Sequence, residues 1–186
     1  MQNFMPKHKN TSGFTLIEIM VALTVLSVVM MYVVSSFGGF MQRQHFQAAA
    51  ENLHDHLTIA RTEAINRNAD VYVTIKQGAA WCYGLSTGIC DCDVANSCQL
   101  NGINKVISGA NYPDIEIDSA TFAQGSTSNY IVFNPRRGMP EDSTGVVRNG
   151  SISFLSKDND NLTVQVNIVG RLRSCSTSGY KGYPTC

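Results

Sequence analysis

An uncharged apolar run with a single carboxylate at its head constrains this chain more than any other feature. From Ile19 to Gln42 there are 24 residues without a charge. At about 1.5 Å per helical residue, that length crosses a bilayer core of about 30 Å. Glu18 sits at the head of the run, where an ionised side chain in apolar surroundings costs on the order of a few kcal/mol and needs a partner. A short polar leader with Lys7 and Lys9 ends at Gly13. A cut after Gly13 frees the α-amino group of Phe14 about one helical turn from Glu18 and so supplies the missing positive charge. It also leaves the apolar segment at the N-terminus, ready to pack beside copies of itself. A secretory signal peptide would instead carry a small-residue cleavage site after the apolar run, and residues 33–36 offer nothing convincing.

The stretch Gly13-Phe14-Thr15-Leu16-Ile17-Glu18 resembles, residue for residue, the prepilin signature of type IV pilins and type II secretion pseudopilins. That resemblance implies cleavage between Gly13 and Phe14 by a prepilin peptidase and N-methylation of Phe14. It gives Glu18 an assembly role, neutralising the amine of Phe14, its own or a neighbour's, as the subunit docks into a filament. It further implies a single-pass inner-membrane protein with a periplasmic domain, then a pilus subunit on the cell surface. The partners it implies are other major and minor pilins, the peptidase and the inner membrane.

Composition agrees with an exported protein of this size. With 186 residues and 44% hydrophobic content, the chain suits one membrane segment and one globular domain. All six cysteines (82, 90, 92, 98, 175 and 186) follow the apolar run, and an even count in an exported domain suggests disulfides. Six cysteines allow 15 pairings. Proximity favours Cys175 with Cys186, and Cys82, Cys90, Cys92 and Cys98 paired among themselves. Zinc is the competing reading, but the spacing lacks the paired C-x2-C hooks of structural zinc sites, so neither metal nor cofactor is expected. Net charge is zero, yet its distribution is uneven. Residues 70–129 carry two basic and six acidic side chains, whereas residues 130–186 carry seven basic and four acidic.

Beyond the apolar run, Gly38 and Gly39 loosen the helix without ending it. Phe46, Ala49, Ala50, Leu53, Leu57, Ala60 and Ala64 then recur at spacings of three and four, which predicts one buried helical stripe ending at residues 66–70. Arg61 and Arg67 read as a solvated face or local ion pairs. After Asp70 the period becomes two. Strands are expected at residues 71–75, 80–85, 105–107, 115–117, 130–133, 151–155 and 162–169, with a stapled surface loop over 86–102 and a turn over 134–140. Seven or so short strands argue for an antiparallel two-sheet arrangement. The expected boundaries are a leader at 1–13, a transmembrane and assembly helix at 14–37, an amphipathic continuation at 38–68 and a β-rich domain at 69–186.

The helical pattern at 53–67, the Phe133-Asn134-Pro135-Arg136 turn and Gly170-Arg171-Leu172-Arg173 resemble the GspH/FimT (FimT/FimU-type) minor pilin family. The fold implied is α+β and type IV pilin-like, with a long N-terminal helix packed on an antiparallel two-sheet β-sandwich. In FimT-type minor pilins the Gly-Arg-x-Arg motif is a DNA-contacting element of natural transformation. By that resemblance, Gly170, Arg171 and Arg173 would meet DNA here. The residues themselves suit a polyanion. The tail at 170–186 has no acidic residue, adds Lys181, and carries hydroxyls for phosphates and two tyrosines that can stack on bases. Arg136, Arg137 and Arg148 enlarge the patch if their turns lie on the same face. The expected ligand is double-stranded DNA bound without regard to sequence. The alternatives are a structural subunit that primes pilus assembly, whose arginines pair with neighbours, or a minor pseudopilin of type II secretion. No catalytic motif is present, and all four histidines fall in the leader or the long helix, so an enzyme is not expected.

Overall fold

No proline interrupts residues 14–67, and a single 52-residue helix, α1 (Leu16–Arg67), fills most of that stretch. The computed structural model describes residues 13–122, 129–142 and 144–186, with only the backbone described at 32–37 and 129. The leader before Gly13 lies outside the described residues. Thr15 caps the helix: its side-chain oxygen accepts the Glu18 N–H at 3.4 Å, and its carbonyl accepts the Glu18 and Ile19 N–H groups. The Thr-x-x-Glu spacing is that of a capping box, and it puts a carboxylate where the helix dipole favours one. Within the apolar run, the hydroxyls of Thr24 and Ser27 donate back to the carbonyls of Val21 and Thr24, which hides their polarity. At the far end Asn68 adopts a left-handed φ of 52°, and the Ala69 N–H closes onto the Ala64 carbonyl.

The chain divides into two compact units, Met1–Met41 and Gln42–Cys186. In the first, Phe14, Leu16, Ile17, Met20, Leu23 and Val25 are all more than half exposed, an apolar surface that water does not favour. Among the described residues, no helix is long and apolar enough to cross a membrane, and the side chains at 32–37 fall outside the described set.

The second unit carries its own core. Among the described residues eleven strands form, rather than the seven or so expected, because several expected loops close short ladders. They are β1 (Val71–Lys76), β2 (Cys82–Ser86), β3 (Gln99–Leu100), β4 (Ile103–Asn104), β5 (Val106–Ser108), β6 (Ile115–Ala120), β7 (Asn129–Phe133), β8 (Pro140–Glu141), β9 (Gly150–Ser156), β10 (Asn161–Val166) and β11 (Leu172–Cys175). Two antiparallel sheets result, ordered β5-β2-β1-β7-β8 and β11-β10-β9-β6, with β3 and β4 as a separate ribbon. The strand expected over 162–169 stops at Val166, where Asn167 turns the chain back towards Arg171. The predicted helical stripe is buried throughout, with Leu53, Leu57, Ala60 and Ala64 at 0% exposure. It packs into one core with Val71, Val73, Tyr83 and Leu85 of the first sheet and Ile117, Phe154, Leu162 and Val164 of the second. Helix and sheets together make the long-helix, two-sheet pilin-like fold.

Trp81, the only tryptophan, joins the two sheets. Its ring stacks on Tyr83 and Tyr112, meets Phe154 edge-on at 5.4 Å, and its Nε1–H donates to the Ile115 carbonyl at 2.8 Å. Three disulfides fasten the periphery: Cys82–Cys92 ties the start of β2 to the loop that follows it, Cys90–Cys98 closes that loop, and Cys175–Cys186 spans the tail. Asp93 of that loop also pairs with Lys76.

Candidate nucleic-acid interface

The sheet β11-β10-β9-β6 presents a polar row to solvent at one end. Arg173 lies opposite Gln165, and Gln165 opposite Ser151. The Ser151 hydroxyl meets that of Thr121 at 3.0 Å. Arg171 stands two residues before Arg173, hence on the same side of an extended chain, and both are exposed. Together these residues line a groove of about 750 Å³ whose other arginine is Arg148. Three guanidinium groups therefore border one polar concavity.

Their charges are not equally available. Arg148 pairs with Asp142 at 3.0 Å. The Thr144 hydroxyl, then Arg148, hold the Asp142 carboxyl well below the usual carboxylate range. Arg173 donates to the Thr185 carbonyl at 2.8 Å, which ties the tail to β11 and leaves its charge uncancelled. Among the described residues no carboxylate pairs with Arg136, Arg137, Arg171, Arg173 or Lys181.

The turn carrying Arg136 and Arg137 comes close to the same site by a different route. A Cβ built on Gly170 would stand 2.3 Å from the Gly138 carbonyl oxygen, so the two turns touch there. Arg137 and Arg171 are each one residue from that contact. Beneath it lies Arg61 of α1, within 3.0 Å of the same Cβ position and donating to the Val169 carbonyl at 3.3 Å. Its Nε is buried without a hydrogen-bond partner among the described residues. Arg61 is thus a wedge under two glycine turns rather than part of a solvated face. A guanidinium is flat and weakly hydrated, which suits it to that crevice. The spacing of α1 gave no hint of this, because the covering turns come from residues 77 and 109 positions away. Arg67 does form a local ion pair, with Glu63 at 2.6 Å.

Lys181 is not among the residues that border the groove. It is exposed on the tail loop, whose neighbouring Tyr180 packs edge-on to Phe46 at 5.3 Å. Phe46 is 15 residues before Arg61, about 22 Å along the helix. The tyrosines, read from sequence as stacking platforms, are committed to the domain: Tyr183 donates its hydroxyl to Glu51 Oε1 at 2.8 Å. Burial, then that bond to Glu51, push the Tyr183 phenol up, so it stays a neutral donor. Gly13, Phe14 and Glu18 stand at the start of α1 in the first unit. No group of three or more His, Cys, Asp or Glu side chains among the described residues is placed to hold a metal ion.

A long helix whose exposed apolar start follows a Gly-Phe junction, joined to a two-sheet domain, defines a minor pilin or pseudopilin. The sequence profile of the family described as type II transport protein GspH matches residues 49–170, and that of the prokaryotic N-terminal methylation motif matches residues 8–34; the chain belongs to the GspH family. Among solved structures it is similar to the type IV minor pilin FimU of Pseudomonas aeruginosa, with 16% identity and a TM-score of 0.48, covering 72% of this chain and 90% of that one. It is also similar to the minor pseudopilin EpsH from the type 2 secretion system of Vibrio cholerae, with 14% identity and a TM-score of 0.48, covering 71% and 97%. No curated protein gives a significant match to the sequence.

Proposed function

We propose that this chain is a minor type IV pilin that captures extracellular double-stranded DNA for uptake. The observation that carries the reading is the groove bordered by Arg148, Arg171 and Arg173, whose polar floor offers Gln165, Ser151 and Thr121 as further donors. Phosphate contacts of this kind hold a duplex without reading its sequence. Three or four exposed cations bind weakly and with steep salt dependence, which suits a filament that meets many DNA segments. Before assembly the chain is a single-pass inner-membrane protein, with residues 14–37 in the bilayer. The exposed apolar start of α1 supports this, since lipid or neighbouring helices are what would cover it. Prepilin peptidase cuts after Gly13, and Glu18 neutralises a Phe14 amine during docking. Membership of a type II secretion machine is the second reading, favoured by the description of the matched family.

Two variants in the producing cells separate assembly from capture. Glu18→Ala is expected to leave membrane insertion intact and to abolish incorporation into the filament; normal incorporation would remove the assembly role. Arg171→Ala/Arg173→Ala is expected to enter pili normally while DNA uptake falls at least tenfold, as for the loss of two phosphate contacts of about 1 kcal/mol each. Lost piliation, or unchanged uptake, would favour subunit contacts as the purpose of the arginines. A secretion defect with pili intact would favour the second reading.

A further inference from the structure

Resting on the DNA reading, we infer that the turn between β10 and β11 is an apolar wedge, with Ile168 and Val169 pressing into the base stack while Arg171 and Arg173 hold phosphates. Turn tips are ordinarily polar. Here the tip carries two β-branched aliphatics, Ile168 at 57% and Val169 at 55% exposure. Flexibility does not account for their exposure. The Asn167 side-chain oxygen accepts the N–H groups of Val169 at 3.1 Å and Arg171 at 2.8 Å. The Asn167 backbone accepts the Gly170 N–H at 2.8 Å and donates to the Arg171 carbonyl at 3.0 Å. Arg61 braces the Val169 carbonyl from below. The tip is held from both sides and presented outward.

Its surroundings select the partner. Arg171 follows the tip by two residues, and the touching Gly138 turn brings Arg136 and Arg137 to the same neighbourhood. An apolar point in a field of positive charge suits a groove between two phosphate strands, where opening one base step exposes apolar base faces. Minor-groove proteins insert isoleucine, leucine or similar side chains in this way and accept the unstacking cost for the added contact. Two aliphatic side chains are too few for the core of a protein interface, which buries about 800 Å² on each side. Wedge contacts made by aliphatic side chains read no base edge, so binding remains independent of sequence.

The test uses the full chain in non-ionic detergent, disulfides formed, and a duplex of arbitrary sequence carrying 2-aminopurine, whose fluorescence rises on unstacking. The wild type is expected to raise that fluorescence. Ile168→Ser/Val169→Ser is expected to abolish the rise and weaken binding about tenfold, within the range of a lost stacking contact. Its dependence on salt should stay unchanged, because no phosphate contact is removed. Both side chains are exposed and the turn is held by Asn167, so the variant keeps its fold. Wild-type affinity in the serine variant would overturn the wedge and leave the DNA reading standing. An absence of binding by the wild type would overturn both and mark the tip as a protein contact.

Discussion

Trp81→Ala is expected to destabilise the Gln42–Cys186 unit by about 3–5 kcal/mol, the usual cost of emptying a large aromatic site in a core. Trp81 is 1% exposed and touches both sheets. Its loss removes stacking on Tyr83 and Tyr112, the edge contact with Phe154, and the donor that satisfies the Ile115 carbonyl. The surroundings collapse poorly, because strands on both sides are pinned by their ladders. A domain whose total stability lies within about 5–15 kcal/mol loses a large share of it. Trp81→Phe divides the effect. The ring contacts largely survive, and the cost of about 1–3 kcal/mol reports the orphaned carbonyl and the smaller ring. Urea unfolding followed by circular dichroism measures both, since alanine or phenylalanine removes the only tryptophan fluorophore. A loss below 1 kcal/mol for alanine would show that Trp81 does not join the sheets.

The second large effect links the fold to the groove. Gly170→Ala places a methyl 2.3 Å from the Gly138 carbonyl oxygen and 3.0 Å from Arg61 Nε, at a φ of +74°. The left-handed backbone alone costs an L residue about 1–2 kcal/mol. Separating two packed turns adds about 1–3 kcal/mol more. Gly145 isolates the first contribution, since its φ is +76° and none of the described residues comes within 4 Å of the added carbon. Gly145→Ala is expected to cost only the backbone share, and Gly170→Ala to exceed it by at least 1 kcal/mol. Because Arg171 is the next residue, the proposed DNA capture predicts that Gly170→Ala also weakens binding to a duplex, whereas Gly145→Ala does not. Equal destabilisation by the two would show that the turns do not press on each other.

What the sequence made legible follows its local periodicities. The helical stripe from Phe46 to Ala64 is buried residue for residue, and the left-handed Asn68 ends α1 within the Asn-Arg-Asn-Ala-Asp stretch that signalled a stop. The processing motif needs no fold to be read. The ladders that alternation does not reveal are two to four residues long, such as β3 with β4, β7 with β8 and β10 with β11, too short for a period of two to register. The pattern alone predicts a β10 three residues longer than the one that forms, because Ile168 and Val169 continue the strand-like composition while Asn167 closes the turn. Long-range packing was the least legible. Nothing near Arg61 announces Gly138 and Gly170, and nothing near Tyr183 announces Glu51. Spacing alone joins Arg148 to Arg171 and Arg173 only on condition that their turns share a face, since strand order is what brings it to the groove.

The most direct test of DNA capture by the arginine groove is a titration of a labelled duplex with the full chain in detergent, at about 50 and 200 mM salt. The predicted result is binding that weakens steeply between the two salts. In Arg171→Ala/Arg173→Ala the salt slope should fall by about two, with most of the affinity gone. Equal binding by wild type and variant, or no binding by either at the lower salt, would contradict the claim and return the groove to contacts between subunits.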